Sequence, residues 1–371
     1  MDFLIVTEPD DAHAIAVQLA LESMEHRVKL LFTADQPTKQ KNSVFISNQA
    51  SYSKTVDACG SHSNESYDVV WWRRPRKPFV SRDEVHADDY YFVCRENTLF
   101  HDAITHHLAP GAWWINPKEA ATSAKNKLLQ LKIATQCGMI IPTTLFSNNP
   151  QDVREFTQDH KANGVIYKPL CSNFWFEESE LKITYTSPLH SLPNDHLLQM
   201  TPGIYQKTMH KAYELRVTCF GDYIVAAKLN SQQQSKGQYD WRRIPEGVMQ
   251  IEPYTLPEKI KKHIQKFMQA MGLVFGSLDF IVTKDQEYVF LEVNEQGQFL
   301  WIEESNPEIH LLDPFIQFIL HKKRNFVWDK KQIKHNLVNY NRTIHERVSA
   351  QIKEHVYLNS AKAYTTLQQQ A

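Results

Sequence analysis

Only five of the 371 residues are cysteine, and no two of them form a Cys-x-x-Cys pair. Scattered as Cys59, Cys94, Cys137, Cys171 and Cys219, they exclude a disulfide scaffold or a cysteine-built zinc site and suit reduced core thiols. An excess of either charge is also lacking: the net charge is −1 and the pI is near 7.0. A dedicated nucleic-acid binder carries a strong basic surplus instead. No stretch reaches the roughly 18 apolar residues that cross a bilayer. The start, Met1-Asp2-Phe3-Leu4-Ile5-Val6-Thr7, has neither the basic segment nor the long apolar core of a signal peptide. No internal repeat recurs. The expectation from these absences is a cytoplasmic protein with no membrane and no nucleic-acid partner.

What is present is a globular composition, 42% hydrophobic and 22% charged, with length for two to three domains and a sizeable core. A buried strand is expected at 3–7, a helix at 11–25 and another strand at 28–32, a β-α-β opening that predicts an α/β domain. Residues 34–67 are polar apart from Val44-Phe45-Ile46 and read as loops around one strand. Val69-Val70-Trp71-Trp72-Arg73-Arg74-Pro75 is strand-like up to its proline. Phe92, Leu99, Phe100 and Ile104 recur near helical spacing and predict a helix at 88–107. Asn116-Pro117 supplies a cap and a proline for one further helix, which closes at Gly138 and is preceded by a domain boundary. A helix near 151–163, a strand at 165–168 and short strands to Leu198 follow. Pro257 opens a helix whose apolar stripe is Ile260, Ile264, Phe267, Met268 and Met271, stopped by Gly272. Those methionines are core residues.

The tightest geometric constraint lies at 277–294. Two strand-like runs, 277–283 and 288–294, flank Lys284-Asp285-Gln286-Glu287. A two-residue loop at Asp285-Gln286 pairs Lys284 with Glu287 and, counted back, sets Asp279 opposite Glu292. Cross-strand neighbours have Cβ atoms about 4.5–5.5 Å apart, and alternation puts Asn294 on the face of Glu292. Leu278, Phe280, Val282, Val289, Leu291 and Val293 are expected on the opposite, core face. Two unpaired carboxylates that close repel and raise a pKa, a conflict that a hard cation resolves. An oxygen-only set of this kind points to Mg²⁺ or Mn²⁺, against the alternative of a solvated hairpin face.

Lysines and arginines complete the constellation. Lys127 lies in Asn126-Lys127-Leu128, and Lys168 ends the apolar run Ile166-Tyr167-Lys168-Pro169, where an ammonium can aim at a phosphate. Tyr205-Gln206-Lys207-Thr208 precedes Glu214-Leu215-Arg216-Val217-Thr218, with Glu214 and Arg216 on one strand face and Gly221-Asp222 turning the chain back. A buried guanidinium needs an anion; for Arg216 that is a ligand or, more plainly, Glu214. Asp240-Trp241-Arg242 offers another arginine on a loop.

In this order, Lys127, Lys168, Gln206 to Thr208, Glu214-x-Arg216, Asp240-Trp241-Arg242, Asp279 and Glu292-x-Asn294 resemble the ATP-grasp ligases. Val70 to Pro75, Tyr213 to Thr218, and Leu291-Glu292-Val293-Asn294-Glu295-Gln296-Gly297-Gln298-Phe299-Leu300-Trp301-Ile302-Glu303 resemble the graspetide (microviridin-type) peptide macrocyclases over residues 1 to about 320. The resemblance implies an α/β (α+β) ATP-grasp fold. It would divide into an N-terminal α/β pre-ATP-grasp domain (1–115), a central subdomain (116–200) and a C-terminal subdomain with the Mg²⁺ and ATP site (201–320). An extension (321–371) follows. It also implies that ATP phosphorylates a Glu or Asp side chain of a ribosomal precursor peptide carrying a leader. A Ser, Thr or Lys of that peptide then closes an ω-ester or ω-amide ring.

By the same resemblance Lys127 and Lys168 contact phosphates, backbone around Gln206, Lys207 and Thr208 holds adenine, and Glu214 holds the ribose. Asp279, Glu292 and Asn294 bind two Mg²⁺, with Mn²⁺ as a substitute, and Arg216 and Arg242 steady the acyl phosphate or substrate carboxylate. Such catalysis is mostly positioning and charge neutralisation. Members are often dimers, so a homodimer is an allowed partner. Two departures stand out. Leu170-Cys171-Ser172-Asn173-Phe174-Trp175 occupies the place of a Gly-rich phosphate loop, and the tail from His321 extends past the usual family end, expected as a solvated helix over a dimer contact or a peptide-docking arm.

Other features stay with plainer readings. His101, His106 and His107 lack metal-ligand spacing, Trp71-Trp72 and Trp113-Trp114 are core aromatics, and Asn64-Glu65-Ser66 is a sequon without meaning in a cytoplasmic chain. The competing functions are a ligase that adds a free amino acid to a peptide or protein, as ribosomal-protein glutamate ligases do, and a catalytically idle ATP-binding partner.

Overall fold

The computed structural model describes residues 1–58, 60–63, 66–170, 174–177, 180–183, 186–245 and 247–358. Cys59, Cys171, the Asn64-Glu65 part of the sequon, residues 171–173 of the stretch after Lys168 and the end of the tail lie outside them. The chain forms two compact units, one of residues 1–118 and 312–358, the other of residues 119–311.

The first unit opens with β1 (Asp2–Thr7), α1 (Ala12–Glu22) and β2 (Arg27–Phe32). Asp11 caps α1, its Oδ1 accepting the His13 and Ala14 N–H groups at 3.2 and 3.4 Å, so the helix starts where its first free N–H groups find an acceptor. Three short strands follow: β3 (Lys41–Ile46), β4 (Ser51–Asp57) and β5 (Gly60–Ser63), an antiparallel sheet of their own. Only the first was legible. The sheet is largely exposed, so it lacks the one apolar face that alternation would reveal.

Next come β6 (Val69–Trp72), α2 (Tyr90–His106) and β7 (Trp113–Ile115). The sheet order is β2-β1-β6-β7, all parallel. Both faces of β1 and β6 are buried, hence their unbroken apolar runs. On α2 the outcome is inverted: Phe92 and Leu99 are exposed, whereas His101 and Thr105 are buried.

In the second unit the single helix expected after Pro117 is two, α3 (Lys118–Ala124) and α4 (Lys127–Gln136). The break is a cap: Asn126 Oδ1 accepts the Leu129 N–H at 3.1 Å, which starts α4 at Lys127. Then follow β8 (Thr144–Ser147), α5 (Pro150–Asp159), β9 (Val165–Lys168), β10 (Phe174–Glu177), β11 (Glu180–Ile183), β12 (Ser187–Pro188), α6 (Asp195–Met200) and β13 (Gly203–Lys207). They give a four-stranded sheet in the order β12-β9-β13-β8 and a separate hairpin β10-β11. The residues before Met200 are therefore helical, capped by Asn194, where strands were expected.

A five-stranded antiparallel sheet, β16-β15-β14-β17-β18, completes the unit. It contains β14 (Lys211–Phe220), β15 (Tyr223–Leu229), β16 (Ile251–Tyr254), β17 (Phe275–Thr283) and β18 (Tyr288–Asn294). Between β16 and β17 lies α7 (Glu258–Ala270). One sheet face carries Leu215, Val217, Leu278, Phe280 and Val282, packed with Ile264, Phe267 and Met268 of α7 and Leu131 of α4. The other face is left for polar residues.

After α8 (Leu300–Ser305) the chain returns to the first unit with α9 (Leu312–His321) and α10 (Asn341–Glu354), both packed on α1. Arg347 pairs with Glu22 at 2.8 Å, and Asp35 accepts the Val356 N–H at 2.7 Å. The tail expected to be solvated is docked as far as it is described. No helix among the described residues is long and apolar enough to cross a membrane.

Candidate active site

The polar face of the five-stranded sheet arises from alternation. On β14, Leu215 and Val217 go to the core, so Glu214 and Arg216 go to the other side. Asp279 of β17 stands opposite Arg216, and Glu292 of β18 stands opposite Asp279.

The hairpin reaches that register by a route the sequence count did not contain. Thr283 N–H donates to Glu287 O, Gln286 N–H donates to Thr283 O, both at 3.1 Å, and Gln286 has φ of 61°. The loop is therefore Lys284, Asp285 and Gln286, three residues closing on a left-handed one, not two. The pairs beside it, Val282 with Tyr288, Ile281 with Val289 and Phe280 with Phe290, are slipped by one. A bulge before Asp279, with Leu291 as the extra residue, removes the slip and returns Asp279 to Glu292. Because the bulge re-aims side chains, Phe290 joins the core and Leu291 lines the polar cavity. Leu291 had been expected in the core with Val289, which stands opposite the cavity-lining Ile281.

That cavity, about 650 Å³, is lined by every site residue taken from the sequence: Lys127, Lys168, Gln206, Lys207, Thr208, Glu214, Arg216, Arg242, Asp279, Glu292 and Asn294. The partners within it differ from those a strand-face argument supplies. Arg216 Nη1 donates to both Asp279 carboxylate oxygens at 2.9 Å, and Nη2 donates to Gln298 O at 2.9 Å. Glu214 pairs with Lys211 instead, at 2.7 Å, and accepts the Ser231 hydroxyl at 2.8 Å. The plain alternative of an Arg216–Glu214 bridge is thus not formed. Lys127 Nζ lies 3.2 Å from Glu292. Arg242 is gripped at both ends by Asp240, at 2.9 and 2.6 Å.

Electrostatics separate the two facing carboxylates. Burial pushes Asp279 above the ordinary range; Arg216 opposes this and Glu292 adds to it. Desolvation pushes Glu292 up as well, yet Lys127, Lys168 and Arg242 together hold it below that range. Burial pushes Glu214 up, against the pull of Lys211. Burial pushes the Lys168 ammonium down; Glu292 works against that and Lys127 with it.

Two polar atoms in the cavity residues, Gln206 Oε1 and Arg216 Nε, are buried and have no hydrogen-bond partner among the described residues. Gln206 Nε2 is satisfied by the Thr144 hydroxyl at 2.9 Å. An acceptor and a donor left open in one cavity suit a ligand that carries both. Among the described residues no group of three or more His, Cys, Asp or Glu side chains could hold a metal. Two carboxylates and the Asn294 amide do fit Mg²⁺, which is held by one or two carboxylates plus phosphate oxygens and water.

Sequence reasoning missed four contributors, Lys211, Gln130, Trp241 and Trp301. Lys211 was passed over because only the Glu214-x-Arg216 spacing was used. Gln130 sits mid-helix and carries no motif. Trp241 and Trp301, both lining the cavity, stack at 4.8 Å and 18°, and the Trp301 indole N–H donates to Gln298 O, the same oxygen that Arg216 uses. Their positions, one beside Arg242 and one after the Glu292-x-Asn294 run, were the available signal.

No protein-family model and no curated protein matches the chain. Solved structures do. Macrocyclase MdnC of Microcystis aeruginosa MRC, bound with precursor peptide MdnA, aligns with 86% of this chain and 100% of its own, at 30% identity and TM-score 0.75. Macrocyclase MdnB of the same organism aligns with 86% of this chain and 97% of its own, at 27% and 0.71. A Chryseobacterium gregarium RiPP-associated ATP-grasp ligase, in complex with ADP and a leader and core peptide, aligns with 88% and 99%, at 24% and 0.78. With its cationic cavity built on the ATP-grasp fold and its length shared with a macrocyclase, this chain belongs to the graspetide family of ATP-grasp ligases.

Proposed function

We propose that the cavity binds ATP with Mg²⁺, phosphorylates a Glu or Asp side chain of a ribosomal precursor peptide, and lets a hydroxyl or amine of that peptide close an ω-ester or ω-amide ring. The observation that carries this reading is the placing of Asp279 opposite Glu292 in a cavity that also holds Lys127, Lys168, Arg216 and Arg242. Cations in such numbers around two carboxylates suit a polyphosphate and its metal. The macrocyclase solved with its precursor peptide supports the choice of substrate.

In this reading Lys127 and Lys168 hold the phosphates, and backbone at Gln206, Lys207 and Thr208 holds adenine, with the open Gln206 Oε1 as a further acceptor for an N–H. Glu214 takes the ribose. Asp279, Glu292 and Asn294 hold Mg²⁺, two ions in all, and Mn²⁺ suits the same oxygen donors. The metal supplies charge neutralisation between carboxylates and phosphates.

The substrate carboxylate oxygen attacks the γ-phosphorus and ADP departs. Arg216 and Arg242, each already anchored on an aspartate, present guanidinium edges to the acyl phosphate. The peptide's O–H or N–H then attacks the acyl carbon, the C–O bond to phosphate breaks with its electron pair, and the nucleophile's proton passes to solvent. A cytoplasmic location, which the free thiols of Cys94, Cys137 and Cys219 suit, completes the reading.

The test is mass spectrometry of a precursor peptide, a leader followed by a core with Glu or Asp and Ser, Thr or Lys, after incubation with this protein, ATP and Mg²⁺. The expected product has lost one water per ring, and Asp279→Ala yields none. A mass increase by one amino acid would assign the amino-acid-adding reaction instead. Dehydration by Asp279→Ala would remove Asp279 from the metal site.

A further inference from the structure

The last strand of the five-stranded sheet has one open edge. Among the described residues β17 is the one strand that pairs with β18, so alternate N–H and C=O groups on its outer side need partners from elsewhere. Ile140 serves one place, its carbonyl accepting the Phe290 N–H at 2.8 Å. The other place is served by a side chain. Gln130 Oε1 accepts the Val293 N–H at 2.8 Å, and Gln130 Nε2 donates to Val293 O at 3.1 Å. The amide imitates a strand one residue long. Its second Nε2 hydrogen goes to Ala124 O, the end of α3, at 2.6 Å. Gln130 is buried, with all its bonding capacity on backbone except one acceptor lone pair.

The residue clasped in this way is Val293, between Glu292 and Asn294. Gln130 also lies three residues after Lys127 on α4, so the two share a helix face, and Lys127 contacts Glu292. One helix turn therefore grips β18 at two adjacent points, by charge at Glu292 and by paired hydrogen bonds at Val293. The bulge just before makes this support necessary. At Leu291 the ladder to β17 is interrupted, and an interrupted edge strand has fewer constraints on the direction of its next side chains.

We propose that Gln130 is a positioning residue for the metal ligands, holding Glu292 and Asn294 at the spacing an ion requires. This rests on the metal assignment made above. Supports behind metal ligands contribute about 10–100-fold to metal affinity, whereas an ordinary edge cap contributes stability alone.

The experiment separates those effects. The ADP-dependent rise in Tm is followed as Mg²⁺ is titrated, for the wild type, Gln130→Met and Asp279→Asn. Gln130→Met keeps side-chain length and removes all three bonds. Its half-saturating Mg²⁺ is expected to rise about 10–100-fold, with the rise in Tm regained at high Mg²⁺. A Tm lowered without ADP but an unchanged half-saturation overturns the proposal. If Gln130→Met does not fold, Gln130→Glu, which keeps the acceptor and loses both donors, is read by the same criterion. Asp279→Asn tests the underlying assignment: if its Mg²⁺ dependence stays at the wild-type value, the metal site is elsewhere. If it shifts and neither Gln130 variant does, Gln130 alone is wrongly placed.

Discussion

Arg216 and Asp279 are direct cross-strand partners on β14 and β17, joined by two hydrogen bonds of 2.9 Å from one guanidinium nitrogen. The contact gives Arg216 two functions. It supplies a fixed positive edge to the cavity, and it opposes the upward push that burial and the neighbouring Glu292 give the Asp279 carboxyl.

Losing Arg216 should therefore cost both chemistry and stability. Arg216→Met is expected to lower ring formation at least about 100-fold, the range for removing one preorganised transition-state donor. It should also destabilise the fold by about 3 kcal/mol, because a buried carboxylate is left unpaired. The double variant with Asp279→Asn should be more stable than the sum of the singles by about 1–3 kcal/mol. Urea denaturation of the four proteins measures the coupling; strict additivity would show that the pair is not formed in solution.

The bulge at Leu291 makes a prediction opposite to that of an unbroken hairpin. Phe290 is fully buried in the core and Leu291 lines the cavity. Phe290→Ala should cost about 3–5 kcal/mol, and Leu291→Ala less than about 1.5 kcal/mol. Denaturant midpoints decide it. A larger loss at Leu291 would restore the uninterrupted ladder.

Lys168 should couple nucleotide binding to protons. Burial lowers its pKa in the free protein, while phosphate oxygens beside it would favour the ammonium and raise it again. A group whose pKa rises on binding takes up protons, so affinity for Mg·ADP should weaken as pH climbs through the depressed value. Lys168→Arg, whose guanidinium does not titrate, should flatten that dependence. Calorimetric Kd values from neutral to alkaline pH provide the comparison, and equal slopes in the two proteins would reject the role.

Acid stability of the first unit should follow Asp11. This buried carboxylate lies 3.2 Å from Arg73, and although burial opposes ionisation, Arg73, His13 and Arg74 bring its pKa from 3.8 to about 2. A depressed folded pKa gives stability that is complete above the unfolded value and lost as pH falls from about 4 to about 2, on the order of 2 kcal/mol. Asp11→Asn should be less stable at neutral pH and flatter across that window. Denaturation followed by near-ultraviolet dichroism would show it; parallel curves would count against the pairing.

Much of the site was written in local order. Alternation along 214–216 and 277–282 placed Glu214, Arg216 and Asp279 on the face away from the core, because a strand's period of two needs no knowledge of the rest of the chain. The pairing of Asp279 with Glu292 was also reached by counting, but through compensating differences. The loop is one residue longer than assumed, and the one-residue bulge at Leu291 cancels it. Polar strands β4 and β5 escaped notice because an exposed sheet has no apolar face to mark it.

Residue types and their order along the chain determined which acids, lysines and arginines this protein brings to its cavity, and the periodicity of its strands determined the face they occupy. Only the tertiary structure decided who holds whom: Arg216 on Asp279, Lys211 on Glu214, and Gln130 on Val293, 163 residues away. The reason is that periodicity acts within one element. Partner choice depends on backbone and charges brought together from distant segments, where each buried polar group takes the nearest complementary atom the packing allows. The facing carboxylates belong to the first kind of information, and the helix turn that clasps them belongs to the second.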